Sequence, residues 1–349
     1  MRVLFVGGNG NIAWYCAQVA LDKGFSVTLL TRGLSFDTRR DPQPNLEIIQ
    51  CDAHDLNSME QILGDRNFDV VCDFICFNER HAKAASSFFE GRTKQYIFIS
   101  SVVVYERITS SLPFKEGAPK WRSENYKYAK DKIEAEQHFV DSFERRNFPV
   151  TIVRPAHTYD TIVPSPLGHN CFTAVRRYLS DGQILIAGDG TNLWSLCHSS
   201  DFARAFVGLF GLTVAIGEDF HIAGEEWLTW LDISRTIAKT LSIKDPFVIP
   251  IPSSQILKLN VGVSDNMAIS YLGSAFKGQR MWCDIYDNSK IKKFVPGWKC
   301  ETNFEKGFRE TIEWLNGDSR RKRINPELDA LLAKIAKDYR FLGYRLDEL

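Results

Sequence analysis

The chain has 349 residues, and its 43 lysines and arginines balance its 43 aspartates and glutamates, so the formal net charge is +0. A neutral chain has no overall field that attracts nucleic acid or an anionic membrane. With 44% hydrophobic and 25% charged residues, the composition is that of a globular protein long enough for two domains. Electrostatic steering by net charge and extensive disorder are therefore excluded.

The sequence also bears on the cellular compartment. The most apolar stretch, residues 205–217, is well short of the roughly 20 residues that span a bilayer, so we expect no membrane partner. The N-terminus enters a strand-like run at once, unlike a signal peptide. Eight cysteines without a CxxC pair are typical of free thiols in a reducing compartment. These features predict a cytoplasmic protein without a metal site.

Short apolar and β-branched runs alternate with helical stretches over the first 160 residues. The strand candidates, in chain order, are residues 2–6, 26–30, 46–50, 70–74, 96–99 and 150–153. Such alternation predicts an α/β fold with a doubly wound parallel sheet.

The alternation breaks after Pro155, which indicates a second part of the chain. We assign residues 1–158 to the parallel-sheet domain, 159–318 to a smaller α/β lobe and 319–349 to a C-terminal helical extension. Residues 197–215 contain a helical pattern and are expected to return to the first domain. The two parts are thus predicted to interleave in sequence.

A glycine-rich turn, Gly7-Gly8-Asn9-Gly10-Asn11-Ile12-Ala13, lies between the first strand and a helix. Glycine lets the backbone approach a pyrophosphate, and the helix N-terminus supplies free N–H donors with partial positive charge. Gly7 or Gly8, with Gly10 and Ala13, matches a dinucleotide fingerprint in which Ala13 lets helix and strand pack. The turn therefore predicts a dinucleotide site that includes Asn11 and Ile12.

The end of the second strand bears on the choice of dinucleotide. NAD sites usually place an acid there for the ribose hydroxyls, whereas this chain has Thr31-Arg32. A hydroxyl and a guanidinium suit a 2′-phosphate, so the sequence favours NADP over NAD. The alternative is that Arg32 stacks on the adenine or points to solvent. Asp52, after the third strand, is a candidate for the adenine amino group or for an ordinary turn.

Two further segments contain candidate catalytic residues. Ser101 follows the strand candidate 96–99, at the edge where open α/β sheets bind ligands. Later in the chain, Tyr and Lys recur at i and i+4 in two registers: Tyr126/Lys130 and Tyr128/Lys132. On a helix such a pair shares a face, and the ammonium makes the tyrosine a usable base below its ordinary pKa of about 10.

The chain resembles the extended short-chain dehydrogenase/reductases in the order of its motifs: GxxGxxA, Ser-x-x-x-Tyr, Tyr-x-x-x-Lys, Arg154-Pro155 and Gly188-Asp189-Gly190. The resemblance is to the NAD-dependent epimerase/dehydratase family, typified by UDP-galactose 4-epimerase, and covers roughly residues 1–315. It implies a Rossmann-like fold whose smaller lobe binds substrate. The family's active tyrosine precedes a small residue, and its lysine precedes a glutamate by four positions, which selects Tyr128 and Lys132. The family serine falls on Ser101.

This resemblance also implies the roles of the residues. Tyr128 would remove a hydroxyl proton while a hydride passes to the nicotinamide, and Lys132 would bind the nicotinamide ribose and lower the pKa of the tyrosine. Ser101 would orient the substrate oxygen, and Pro155 would join the cofactor contacts.

The chain departs from the family pattern at three places. Val102-Val103 stands where hexose 4,6-dehydratases carry an Asp-Glu pair, which argues against that reaction. Trp194 follows the glycine-rich turn where the family often has an arginine for the substrate diphosphate; it either stacks on a base or fills core. His157 replaces an asparagine near the sugar, as a substrate contact or a core residue. Arg280 is the candidate replacement for the diphosphate arginine, the alternative being a surface role.

These residues predict an NAD(P)-dependent epimerase or oxidoreductase that transfers a hydride at a sugar C–OH of a nucleotide sugar through a keto intermediate. The alternative is an NADPH-dependent reductase of a small carbonyl compound. A third hypothesis, RNA binding as in chloroplast stem-loop proteins of this fold, is disfavoured by the complete Ser-Tyr-Lys set and by the zero net charge. We expect a small-molecule substrate, a homodimer and no nucleic-acid partner.

Overall fold

The computed structural model of the chain describes residues 1–8, 10–33, 43–108, 111–121, 126–165, 172–260 and 276–346. The strands are β1 Arg2–Val6, β2 Ser26–Thr31, β3 Leu46–Gln50, β4 Phe68–Asp73, β5 Thr93–Ile99, β6 Val150–Pro155, β7 His157–Tyr159, β8 Gln183–Ala187, β9 Leu193–His198, β10 Asp219–Ile222, β11 Trp227–Thr229, β12 Phe247–Ile251 and β13 Tyr344–Arg345. The α-helices are α1 Ala13–Asp22, α2 Leu56–Leu63, α3 Glu79–Phe89, α4 Lys127–Arg146, α5 Thr173–Asp181, α6 Ser199–Gly208, α7 Trp230–Thr240, α8 Ser253–Ile256, α9 Ser289–Phe294, α10 Phe304–Asn316 and α11 Pro326–Tyr339.

A parallel sheet forms the centre of the large lobe. Within the described residues it has seven strands in the order β10-β6-β5-β4-β1-β2-β3. Neighbouring strands run parallel throughout, for example with Val3 of β1 opposite Val27 of β2 and Val70 of β4. Such strands are covered by helices on both faces, which explains their continuous apolar sequences. The predicted Rossmann-like, doubly wound sheet is confirmed.

The two faces of the large sheet have separate cores. On one face, Phe5 packs with Phe206 of α6 and with residues of α1. On the other, Val71 packs with Phe139 of α4 and Phe89 of α3. These helices fix the carboxyl ends of the strands at one edge, where the candidate site lies.

The chain returns to the large sheet after its first excursion into the small lobe. Helix α6 packs against α1, and β10 pairs with β6 so that Asp219 lies opposite Ile152. Helix α9 covers β10, with the Phe294 and Phe220 rings 4.8 Å apart. Strand β10 lies beyond the segment 197–215, inside the range assigned to the smaller lobe, yet it pairs with β6 in the large sheet. Its four residues, Asp219-Phe220-His221-Ile222, alternate polar and apolar side chains, but four residues are too few to predict a strand.

The small lobe is built on two short sheets in the described part of the chain, β11-β9-β7 and β13-β12-β8. Trp194 and Trp230 lie in its core, 5.0 Å apart between ring centroids. Helix α11 buries Leu328 and Leu332 against Ile249 of β12, and β13 pairs with β12. The segment 319–349 therefore completes the core of the small lobe over its described residues.

Helix α4 has 20 residues, the length of a bilayer crossing, but charged side chains recur along it. No helix in the described part of the chain is both long and apolar enough to cross a bilayer.

Candidate active site

The glycine turn after β1 uses its three glycines in two different ways. Gly7 has a φ of +80°, and a Cβ there would lie 2.4 Å from Cγ2 of Ile75. A Cβ at Gly8 would lie 2.8 Å from Cδ2 of Leu29. A Cβ at Gly10 would have no described atom within 4 Å. The first two glycines are thus required by the protein's own packing, whereas Gly10 borders open space among the described residues, as a phosphate-binding turn requires.

Helix α1 begins directly after this turn. Ile12 precedes its first residue and provides no capping side chain, so the helix N-terminus keeps N–H groups for an anionic ligand. Ala13 is buried against the sheet. The Asn11 side chain accepts hydrogen bonds from the backbone N and Oγ1 of Thr161, at 3.1 and 3.3 Å. Asn11 therefore ties the glycine turn to the loop that follows β7.

The residues predicted to contact the adenosine end lie at the ends of β2 and β3. Thr31 Oγ1 accepts a hydrogen bond from the Gly33 N–H, and the Arg32 carbonyl accepts one from Gln50. Arg32 is exposed. The Asp52 carboxylate accepts a hydrogen bond of 3.0 Å from the His54 N–H and so stabilises a turn.

A cavity of about 210 Å³ lies beside the glycine turn, between α2 and α3. Its lining includes Val6, Ala53, Met59, Ile75, Arg80 and Phe88. At its edge the His54 and His81 rings stack with 4.0 Å between centroids. No sequence motif predicts these residues, because they come from four separate segments of the chain.

Lys132 lies at the carboxyl edge of the sheet. Its Nζ donates hydrogen bonds of 2.7 Å to the carbonyls of Cys76 and Ile99, which follow β4 and end β5. The side chain is buried, with the residue only 2% exposed. Burial lowers the pKa of Lys132 to about 8, against smaller opposing effects of Cys76 and Asp73. The lysine thus joins two strand ends at the place where parallel sheets bind ligands.

Ser101 and Tyr128 adjoin the same edge. Ser101 begins a 3₁₀ turn, Val102–Val104, and its Oγ accepts a hydrogen bond from the Val103 N–H. Val103 packs with Ala129 and with the half-buried Tyr128. Tyr128 and Lys132 are one helical turn apart on α4 and therefore share a face.

The other register of tyrosine and lysine occupies a different setting. Tyr126 precedes the first residue of α4 and is buried, and burial raises its pKa. Lys130 is half-buried, with its Nζ 4.0 Å from Glu134. This geometry supports Tyr128 and Lys132 as the pair at the sheet edge.

A buried ion pair holds α4 against β6. Arg154 donates from Nε and Nη2 to the two carboxylate oxygens of Glu136, at 2.7 and 2.8 Å, and both side chains are nearly inaccessible. Lys120 contacts the same carboxylate, and Ser100 donates a hydrogen bond to it. Although burial raises the pKa of Glu136, Arg154 and Lys120 lower it to about 2. Pro155, the next residue of β6, is buried at the strand end opposite Ile222.

Two candidate residues of the small lobe, Trp194 and His157, pack against each other. Trp194 is 0% exposed and its Nε1 donates to the Trp282 carbonyl at 3.2 Å. The half-buried His157 lies against it, with 5.6 Å between ring centroids. Asn192 donates to the carbonyls of Arg280 and Trp282. Of its two predicted roles, the structure gives Trp194 the packing role, beneath the segment that carries Arg280.

Arg280 ends a π turn, Phe276–Arg280, and is half-buried. Burial lowers the pKa of its guanidinium, and the nearby Tyr126 hydroxyl acts in the opposite direction. A Cβ at Gly278 would lie 2.1 Å from the Tyr126 ring, so the turn packs closely on the start of α4. The small lobe thereby brings Arg280 next to the segment that contains Tyr128.

The contrast between the glycines yields a prediction. Gly10→Ala should leave the melting temperature near the wild-type value, because its Cβ meets no described atom, yet weaken dinucleotide binding at least about tenfold by filling the space for the phosphates. Gly7→Ala should lower the melting temperature as well, because of its positive φ and the contact with Ile75. Thermal unfolding and fluorescence titration of NADPH or NADH measure the two effects. Unchanged dinucleotide affinity in Gly10→Ala would contradict the predicted phosphate site.

Comparison with known proteins agrees with this geometry. The model of the NAD dependent epimerase/dehydratase family matches residues 3–223. The chain is 25% identical over 347 residues, 95% of its length and 84% of the relative's, to a chloroplast stem-loop binding protein of 41 kDa from Arabidopsis thaliana.

Solved structures resemble the whole architecture. Epimerase Mth375 from Methanothermobacter thermautotrophicus matches with a TM-score of 0.72 and 15% identity, covering 91% of this chain and 93% of that one. UDP-glucuronic acid 4-epimerase from Bacillus cereus, solved with UDP-glucuronic acid and NAD, matches with a TM-score of 0.71 and 17% identity, covering 91% and 99%. These structures share the fold, and the family model spans more than half of the sequence. The chain therefore belongs to the NAD-dependent epimerase/dehydratase family.

Proposed function

We propose that this protein is an NAD(P)-dependent epimerase or oxidoreductase that acts at a C–OH group of a nucleotide sugar through a keto intermediate. The observation that carries the proposal is the buried Lys132 ammonium, which bridges the ends of β4 and β5 on the same helix face as Tyr128. A buried cation without a carboxylate hydrogen-bond partner is costly in a protein interior and is common at functional sites.

Each residue of the site has a role in this reaction. The positive charge of Lys132 favours the phenolate form of Tyr128, and this phenolate accepts the proton of the substrate hydroxyl. Ser101 holds the substrate oxygen from the 3₁₀ turn. The nicotinamide, when bound, supplies the hydride acceptor and donor. Val102 and Val103 are buried and carry no acid or base, so we propose epimerisation or redox chemistry instead of dehydration.

Replacement of the tyrosine tests the reaction. Tyr128→Phe removes only the proton-transfer group, so turnover should fall by a factor of at least about 100 while the dinucleotide dissociation constant stays within about twofold. The measurements are turnover of UDP- and dTDP-sugars followed by product analysis, and dinucleotide titration. Tyr126→Phe is the matched control, because it loses a hydroxyl two residues away. A dead Tyr126→Phe with an active Tyr128→Phe would reverse the assignment.

We propose NADP as the preferred dinucleotide. Thr31 ends β2 and Arg32 directly follows it, at the place where an acid would bind the ribose of NAD, and Arg32 is exposed. The cavity beside the glycine turn has apolar walls and the Arg80 side chain, and we assign it to the adenine.

Arg32→Ala should weaken NADP binding about tenfold or more and leave NAD binding nearly unchanged, because only the 2′-phosphate would lose a charged partner. Isothermal titration with both dinucleotides measures the ratio. Arg145→Ala, an exposed arginine on α4, serves as the control for a general loss of positive charge. Equal affinities for NAD and NADP in the wild type would contradict the choice.

We propose that the π turn binds the substrate diphosphate. Arg280 is half-buried and carries the forked donor that suits phosphate oxygens. Trp194 and Asn192 hold the backbone of its segment from below. The UDP-glucuronic acid 4-epimerase with the same fold was solved with a nucleotide sugar, which supports this substrate class.

Arg280→Ala should raise KM for the nucleotide sugar by more than about tenfold and change kcat far less, because the diphosphate is remote from the reacting carbon. Steady-state kinetics separate the two constants. Lys277→Ala, which removes an exposed cation from the same turn, is the matched control. If Arg280→Ala affects no nucleotide sugar and a simple aldehyde or ketone is reduced normally, the enzyme is a small-carbonyl reductase.

RNA binding is less well supported. The Arabidopsis relative is named for stem-loop binding, and that name is a statement about the relative alone. In this chain the basic run 320–323 packs against its own lobe: Arg320 pairs with Asp318, Arg321 lies over Trp314, and Lys322 lies over Phe172. Cations engaged in this way offer little to a phosphate backbone.

A further inference from the structure

Arg107 is a buried arginine of the large lobe that no motif of the sequence singled out. It lies three residues after the 3₁₀ turn that begins at Ser101, and its side chain is inaccessible to solvent. The guanidinium donates to the carbonyls of Val102 at 3.1 Å and Val103 at 3.4 Å, and also to the Tyr105 carbonyl. One side chain thus holds the backbone of the whole turn.

The charge of Arg107 is balanced by the small lobe. Its Nη2 lies 2.7 Å from Oδ1 of Asp284, which is equally inaccessible. Although burial by itself lowers the pKa of Arg107, the Asp284 carboxylate holds it above the ordinary arginine value. The Tyr286 hydroxyl also donates to this carboxylate. The pair is therefore charged, buried and supported by further hydrogen bonds, as a stable buried ion pair requires.

Asp284 extends the contact to the substrate side. Its backbone N–H donates to the Leu193 carbonyl at 2.7 Å, and its carbonyl accepts from Ser195, which fixes it to β9. Its second carboxylate oxygen accepts a hydrogen bond of 2.8 Å from Gln279. Gln279 directly precedes Arg280 in the π turn. A continuous chain of contacts thus runs from the Ser101 turn to the Arg280 turn.

We propose that Arg107 is a positioning residue that, through Asp284, fixes the Ser101 turn of the large lobe relative to the Arg280 turn of the small lobe. The inference rests on the proposed function, in which Ser101 orients the reacting oxygen and Arg280 binds the diphosphate. A rigid substrate anchored at one end needs both groups at a constant separation, because small misplacements of reacting groups cost rate steeply. Arginine suits this role, since its planar fork reaches the three carbonyls and the carboxylate together.

Hydrogen exchange tests this coupling without a substrate. In Asp284→Asn, which removes charge from the small lobe, the amides of residues 103–105 in the large lobe should exchange about tenfold faster, while those of β1 stay unchanged. Asp329→Asn is the control: it weakens the pairs with Arg176 and Arg177 in the small lobe but has no contact with the Ser101 turn. Gln279→Leu removes only the hydrogen bond between Gln279 and Asp284. It should also accelerate exchange at residues 103–105, by a smaller factor, and it provides the test if Asp284→Asn folds poorly. Unchanged exchange at residues 103–105, or an equal change in β1, would overturn the proposal.

Kinetics separate positioning from support of the fold. Arg107→Lys keeps the charge but loses the fork, so the melting temperature should fall because buried carbonyls lose their donors. The dinucleotide affinity of the folded protein should stay near wild type, while kcat per folded enzyme with a nucleotide sugar should fall about tenfold or more. If the loss of kcat equalled the loss of folded protein, the positioning role would be overturned. If the wild type turns over no nucleotide sugar, the proposed function fails, whereas the exchange experiment still decides whether the two turns are coupled.

Discussion

The buried pair of Glu136 and Arg154 is the constraint on which the arrangement of the site depends. Two charges removed from water are tolerated only when each is fully paired, and here two forked hydrogen bonds join the carboxylate to the guanidinium. The pair fixes α4 on β6, and Lys132 lies one helical turn before Glu136. The same fixed helix therefore delivers the lysine ammonium to the ends of β4 and β5. A shift of α4 along the sheet would separate both sets of partners.

The site belongs to both lobes because the chain passes between them more than once. Strand β10 returns to the edge of the large sheet after β7, β8 and β9 have formed much of the small lobe. The small lobe is consequently held at several points of the sequence: Asn11 bonds to Thr161, and Arg107 pairs with Asp284. Contacts of this kind connect the turn that begins at Ser101 in the large lobe to the turn that ends at Arg280 in the small lobe.

The local parts of the fold and site could be predicted because their signals are local. The strands of a parallel sheet are continuous apolar runs, since both faces are covered, and the glycine turn joins a strand and a helix that are adjacent in sequence. The four-residue spacing of Tyr128 and Lys132 reports a helix face directly. By contrast, the four residues of β10 are too few to predict a strand, and Arg107 resembles any surface arginine in sequence. Trp194 had two interpretations, and only its burial beneath the Arg280 segment distinguishes them.

The sequence by itself thus determined the parallel α/β architecture and its glycine turn, because both depend on backbone geometry within a few turns of the chain, and it supplied Ser101, Tyr128 and Lys132 as candidates through the family resemblance. Only the tertiary structure decided which charged side chains are buried together and which lobe each segment of the second half of the chain joins. It also decided which candidate residues pack beneath other candidates. These outcomes depend on the desolvation of paired groups that lie up to 177 residues apart. The free energy of such pairs is set by the surroundings that folding creates, and no spacing in the sequence encodes it.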